Sequence, residues 1–188
     1  MRIIAGKGRS LPLKTIEGID TRPTTDRIKE TLFNMLQNDV PGCTFLDLFA
    51  GSGQIGLEAI SRGALKAVFV ENSKKAATCV AENIRFTKFD EQCQLVSMDV
   101  IAALRSLEGR YLFDIVFMDP PYRQELEKDV LTYLKDASVI DADTLIVVEA
   151  SLDTSFDYLN ELGYDLMKIK KYKTNVHAFM KRKESGHE

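Results

Sequence analysis

Short apolar runs alternate with stretches of helical period through the middle of the chain. "TFLDLF" (44–49), "AVFVE" (67–71), "QLVSM" (94–98), "FDIVFM" (113–118) and "TLIVVE" (144–149) are β-rich and apolar almost throughout, as strands covered on both faces are. Helical patterns fill the intervals near 53–62, 74–87, 100–108, 123–136 and 153–162. Strand, helix, strand at this spacing predicts a parallel, doubly wound α/β sheet. After the fifth strand, "DLMKIKKYK" and "NVHAFMKRK" alternate more strictly and meet at a polar break, Thr174 and Asn175, which predicts a hairpin at an antiparallel sheet edge.

Ahead of this core, "TTDRIKETLFNML" (24–36) puts Ile28, Leu32, Met35 and Leu36 on one helical face, with a Thr or Asp within 24–26 as N-cap. "MRIIAGKGRSLPL" reads as two short strands around a glycine-rich turn. The expected organisation is a small N-terminal hairpin arm, residues 1–23, on a single larger domain, residues 24–188.

With 188 residues, such a domain buries roughly 70% of its unfolded surface, enough for a core and a cleft. No run of about 18 apolar residues is present and the first ten residues hold no signal-like apolar stretch, so a cytoplasmic protein is expected. Cys43, Cys79 and Cys93 have neither C-x-x-C nor metal-ligand spacing and read as reduced thiols. His177 and His187 are the two histidines, which leaves almost nothing from which to build a metal site; no metal is expected.

The formal charge of −3 conceals an uneven layout. Residues 1–29 hold seven basic against three acidic side chains, and residues 168–183 hold seven basic and none acidic. Basic termini around an acidic middle suit a local nucleic-acid footprint, and equally a lysine-protected sheet edge.

The stretch "LDLFAGSGQIG" carries G-x-G-x-x-G at Gly51, Gly53 and Gly56, followed by Glu71 at the end of the second strand. A glycine loop opening a helix lets backbone approach a nucleoside-like ligand. NAD would use its amides on a pyrophosphate. Asp47, four residues before Gly51, instead suits a cationic amino group, which points to S-adenosylmethionine. The candidate cofactor-binding residues are Asp47, Phe49, Ala50, Gly51, Ser52 and Gly53, with Glu71 and Asn72 at the ribose and Met98 and Asp99 at the adenine. Each acid taken alone also reads as a helix cap or a solvated strand end.

"FDIVFMDPPYRQ" ends a strand in Asp119-Pro120-Pro121-Tyr122, where two prolines force the chain out of the ladder. Alone it is a rigid turn. Beside a methyl-donor loop it suits an exocyclic base amino group, whose two N–H bonds the Asp119 carboxylate and the Pro120 carbonyl can accept while Tyr122 stacks on the base. Asp119, Pro120 and Tyr122 are therefore the candidate catalytic residues, with Pro121 and Arg123 as neighbouring substrate contacts. Such an amino group is reached only in an unpaired or flipped base.

With both motifs in hand the chain resembles the class I amino-methyltransferases, and more closely the RsmD family of bacterial 16S rRNA guanine-N2 methyltransferases. The resemblance rests on "RIIAG" (2–6), "RPTTDRIKETLFNML" (22–36), "LDLFAGSGQIGLEAISRG" (46–63) and "DPPY" (119–122). It implies a Rossmann-like class I methyltransferase fold: a seven-stranded, mainly parallel sheet with an antiparallel edge hairpin and a small N-terminal β-hairpin that helps hold RNA. It implies guanine N2 of 16S rRNA, free or in a small-subunit assembly particle, as substrate, and Arg22, Thr24, Asp26, Arg27 and Glu30 near the cleft. For these last residues a capped helix start with an Arg27/Glu30 pair is the structural alternative. Two departures from the family lie outside the chemistry: "GKGRSLPL" is shorter and less basic than usual, which bears on RNA contact, and the final hairpin lacks the glycine often found at its turn, which bears on its geometry. A monomer is favoured. The remaining readings are an adenine-N6 methyltransferase, a glutamine methyltransferase (a family that usually carries Asn at position 119), an NAD-dependent oxidoreductase and a non-catalytic RNA-binding subunit.

Overall fold

The computed structural model describes residues 1–17, 25–122 and 124–185. The five apolar runs become adjacent parallel strands: β1 (Thr44–Leu48), β2 (Lys66–Val70), β3 (Cys93–Val96), β4 (Ile115–Met118) and β5 (Leu145–Ser151). The final hairpin forms β6 (Tyr164–Lys171) and β7 (Asn175–Arg182), and the sheet order is β3-β2-β1-β4-β5-β7-β6. β7 lies antiparallel beside β5, so β6 is the outer strand. Among the described residues, six α-helices connect or flank the strands: α1 (Asp26–Met35), α2 (Gln54–Ser61), α3 (Lys74–Thr87), α4 (Val100–Leu107), α5 (Leu126–Leu134) and α6 (Leu159–Leu162).

Successive strand residues face opposite sides, so the sheet divides the core in two. Leu46, Leu48, Val116, Met118, Ile146 and Val148 pack with α4, α5 and α6, whereas Phe45, Phe69, Ile115, Phe117 and Val147 pack with α1, α2 and α3. By the same alternation, Asp47 on β1 and His177 on β7 share the second face.

Four expectations need correction. The third strand stops at Val96, because Asp99 turns back to cap α4, its carboxylate accepting from the Ile101 and Ala102 amides. The helix expected over 153–162 is confined to Leu159–Leu162. Upstream, Ser151 bonds to Asp153 and Thr154, and Ser155 accepts the Asp157 amide, local bonds that compete with a helix. In α1, capped by Thr25 as expected, the fully buried side chains are Lys29, Leu32 and Phe33, while Ile28 and Met35 are half-buried.

The expected N-terminal β-hairpin is a single antiparallel bridge, Arg2 with Pro12. The Ile3 and Leu13 amides flank this bridge, donating to the Leu11 and Met1 carbonyls at 3.0 and 2.9 Å. The segment bonds to helices as well: the Ile4 and Ala5 amides donate to Glu58 (2.9 and 3.1 Å), and the Lys14 amide donates to Asn83 (2.8 Å). Gly6 is indispensable to this seat, since a Cβ there would fall 1.9 Å from the Ser61 carbonyl oxygen. Lys29 closes the joint. Its Nζ donates to the Arg2 carbonyl (2.5 Å) and lies 3.9 Å from Glu58, which also takes Arg62 Nε at 2.9 Å. Burial lowers the Lys29 pKa, and the Glu58 charge opposes the shift.

Candidate active site

β1 delivers the chain at Leu48 into a loop with three left-handed residues, Phe49 (φ 59°), Gly51 (φ 60°) and Gly53 (φ 84°). The Gly53 amide closes the turn onto the Ala50 carbonyl at 2.8 Å, and the Ala50 amide bonds to Val70 at 3.0 Å. The two outer glycines of the motif have different reasons to lack a side chain. A Cβ on Gly51 would meet nothing within 4 Å, so the backbone there borders open space. A Cβ on Gly56 would lie 2.3 Å from the Phe69 ring, so that glycine lets α2 sit close to β2.

Asp47 is 1% exposed, and its Oδ2 accepts the Gly56 amide at 3.0 Å. Burial holds its carboxyl well above the usual range, the Gly56 amide opposes this, and the charges of Asp119 and Glu71 reinforce it. Glu71, one residue past β2, accepts the amides of Gly51 (3.2 Å) and Asn72 (2.8 Å), which ties the second strand end to the glycine loop. Its carboxyl is also raised, by burial. Ser52 is buried and its carbonyl accepts from Asn83 (2.9 Å). Asn72, Met98 and Asp99 are exposed along the same strand ends.

β4 pairs with β1 with Leu48 opposite Met118. The glycine loop and Asp119-Pro120-Pro121-Tyr122 therefore leave the sheet from neighbouring strands at the same level. Asp119 is half-buried and Pro120 buried, while Pro121 and Tyr122 are exposed. Tyr122, Pro120 and Pro121 line a small cleft with Glu127, Glu149, Ser151 and Thr154.

The unforeseen part of the site lies on the far side of Asp119. β5 places Glu149 one residue beyond the Met118–Val148 pair, and Glu149 is hydrogen-bonded to Asp119. Burial, then the Glu149 charge and hydrogen bond, hold Asp119 well above the carboxylate range, and His177 opposes them. Glu149 stands opposite His177 of β7. Its Oε1 is 2.9 Å from His177 Nε2 and accepts Asn175 Nδ2 at 3.0 Å. The other ring nitrogen, Nδ1, is 2.9 Å from the Tyr172 hydroxyl. Burial lowers His177 to about 4 and raises Tyr172 to about 12. Asp47, Asp119, Glu149 and His177 thus form a polar row across four adjacent strands. Glu149 was legible as an acid ending an apolar run, at the same strand position as Asp119.

Of the remaining expected residues, Arg27 is exposed in the first turn of α1, and no ion pair among the described residues joins it to Glu30. Arg22, Thr24 and Arg123 lie outside the described residues. Among the described residues, no helix is long and apolar enough to cross a membrane, and no group of three potential ligands is gathered for a metal. A hollow of about 370 Å³ beside Cys43, Asp114 and Lys181 opens at the opposite, amino end of β4, away from this chemistry.

The family model described as "Conserved hypothetical protein 95" matches residues 1–181. The ribosomal RNA small subunit methyltransferase D of Haemophilus influenzae is 38% identical over 156 residues, 81% of this chain and 80% of that protein. The solved Escherichia coli protein yhhF superposes with a TM-score of 0.85 at 30% identity, covering 98% of this chain and 99% of its own. A more distant structure, SMU.776 complexed with SAH, covers 81% of this chain and 49% of its own at TM-score 0.66; at 16% identity it speaks to the fold alone.

Proposed function

The chain belongs to the ribosomal RNA small subunit methyltransferase D family, and from that membership together with its site we propose that it transfers a methyl group from S-adenosylmethionine to the exocyclic N2 of a guanine in 16S rRNA. The observation that carries the reading is the Leu48–Met118 register, which sets a glycine loop and a pair of amino-group acceptors side by side.

The residues present fit the cofactor. Open space borders the Gly51 backbone, and the carboxyls of Asp47, Glu71 and Asp119 surround the loop. Burial disfavours the charged forms of these carboxyls, and a cation beside them restores ionisation where a pyrophosphate would oppose it, which favours S-adenosylmethionine over NAD. When bound, this cofactor supplies a methyl group on a positively charged sulfur. Asp47, Phe49, Ala50, Gly51, Ser52 and Gly53 would hold its amino-acid end, and Glu71 with Asn72 would take the ribose. Met98 would pack on the adenine, and Asp99, which caps α4 through one oxygen, would offer the other to the adenine amino group.

On the substrate side, the Asp119 carboxylate and the Pro120 carbonyl accept the two N–H bonds of guanine N2. This localises the nitrogen lone pair and stabilises the positive charge that grows on nitrogen. Tyr122 stacks on the base beside Pro121. In-line positioning of this kind is worth about 7–11 kcal/mol. Exposed Lys168, Lys171 and Lys173 lie on β6 and the hairpin tip, which the Ser151–Asn175 pair sets at the same end of the sheet as Asp119. With the N-terminal segment 1–23 and Arg22, Thr24, Arg27 and Arg123, they form the RNA footprint. The enzyme acts in the cytoplasm as a monomer, on free rRNA or on a small-subunit assembly particle.

Two measurements test the reading. SAH should raise the melting temperature and NADH should not; stabilisation by NADH alone would refute the cofactor. Labelled methyl should pass to 16S rRNA from cells lacking the enzyme, and transfer only to DNA would refute the substrate.

A further inference from the structure

We propose that Glu149, clamped by His177 and Asn175, is a positioning residue that shares one proton with Asp119 and so makes that pair the acceptor of the proton lost by the substrate amino group. The proposal rests on the methyltransfer reading above. Two carboxyls hydrogen-bonded to each other need a proton between them. Here the sheet register forces the encounter, because Asp119 follows β4 and Glu149 sits beside it near the end of β5. Glu149 is 4% exposed, His177 0% and Asn175 5%, so water does not compete for these contacts.

The clamp also fixes the Glu149 carboxyl beside Asp119. The assignment that gives Glu149 a donor on both sides has the Tyr172 hydroxyl donate to His177 Nδ1 and the neutral ring donate from Nε2 to Glu149 Oε1. Asn175 Nδ2 donates to the same oxygen. Phe117 closes edge-on against the ring, 5.9 Å between centroids. The titratable groups facing the pair are His177 of β7, Tyr172 of the hairpin turn, Asp47 of β1 and Glu127 of α5.

The step balances. The base nitrogen uses its lone pair to bond the methyl carbon, the carbon–sulfur pair stays on sulfur, and the nitrogen carries the positive charge. It then gives one N–H proton to Asp119, leaving a neutral secondary amine. The pair, which held one proton and one negative charge, holds two protons until one exchanges with solvent.

Glu149→Gln tests this, because the amide preserves the bonds from His177 and Asn175 and donates to Asp119 without needing a shared proton. Its removal of a negative neighbour makes Asp119 the weaker base, so kcat should fall about tenfold or more at neutral pH, with KM for the cofactor unchanged. The acid limb of the kcat profile should move to lower pH. A purely structural role for Glu149 would lower stability or kcat but leave that limb where it is, and an unmoved limb overturns the proposal. Carbon-13 NMR of carboxyl-labelled, cofactor-free protein decides independently of any substrate. Asp119 should titrate above its ordinary range in the wild type and fall back in Glu149→Gln, and nitrogen-15 shifts should find the His177 hydrogen on Nε2. An ordinary Asp119 titration near about 4, no change in the variant, or hydrogen on Nδ1 overturns the proposal. Absence of methyl transfer to rRNA with the NMR signature intact would instead sink the functional reading.

Discussion

Replacing Gly51 and Gly56 separately by alanine distinguishes the two jobs that one glycine motif performs. At Gly51 the new methyl enters empty space at φ 60°, so nothing in the protein has to move. The cost is the left-handed backbone of a residue with a Cβ, about 1–2 kcal/mol, which in a domain of this size is a fall of roughly 2–8 °C in Tm. The methyl stands where the cofactor is proposed to lie, so SAH affinity should fall well beyond what the small loss of stability explains. At Gly56 the methyl would sit 2.3 Å from Phe69 Cε1 and 2.7 Å from Cζ, and Phe69 is fully buried. Overpacking of this kind costs about 1–3 kcal/mol, partly offset by alanine's helix preference of about 1 kcal/mol. Differential scanning fluorimetry gives the Tm of each variant, and isothermal titration with SAH gives the affinity. The expected pattern is Gly51→Ala folded with weakened binding, and Gly56→Ala less stable with binding largely kept at low temperature. Equal SAH affinity for Gly51→Ala and wild type would refute the assignment of the open space to the cofactor.

Other outcomes follow from the same geometry. Glu58→Ala strips the acceptor from the Ile4 and Ala5 amides and leaves buried Lys29 without its ion pair, which should cost about 3–5 kcal/mol in urea unfolding; a loss under about 1 kcal/mol, the scale of an exposed ion pair, would contradict the joint described. Asp119→Ala should lower kcat by at least about a hundredfold with SAH affinity unchanged, and unchanged turnover would remove Asp119 from the chemistry. His177 folds neutral, about 4 in the protein against about 6.5 unfolded, so the unfolded chain binds more protons between these values. Its contribution is whole above about pH 6.5 and is lost as pH falls toward about 4, by up to about 3 kcal/mol. Asp47 and Asp119, with raised values, run the opposite way, so the measurement is the difference in pH dependence between wild type and His177→Asn; identical dependence would refute it.

Much of the architecture is carried by local pattern. Strands buried on both faces must be apolar throughout, so β1, β2, β4 and β5 announce themselves, and the stricter alternation of β6 and β7 marks the antiparallel edge. The glycine loop and Asp119-Pro120-Pro121-Tyr122 were legible because both need unusual backbone at a strand end. What escaped depends on tertiary placement. Lys29 looks like a solvent-facing lysine until Glu58 and the Arg2 carbonyl surround it. His177 looks isolated because Glu149, its partner, is 28 residues away in sequence and meets it only through strand pairing. The helix misjudged over 153–158 failed because hydroxyl and carboxyl side chains bonded locally, which apolar periodicity does not register.

The central claim is guanine-N2 methylation of 16S rRNA. It is tested most directly by mass-spectrometric nucleoside analysis of 16S rRNA from cells lacking the enzyme, after treatment with the purified protein and S-adenosylmethionine bearing a deuterated methyl. The account predicts deuterated N2-methylguanosine with wild type and at least about a hundredfold slower formation with Asp119→Ala. Label in N6-methyladenosine, or in no nucleoside at all, would contradict it.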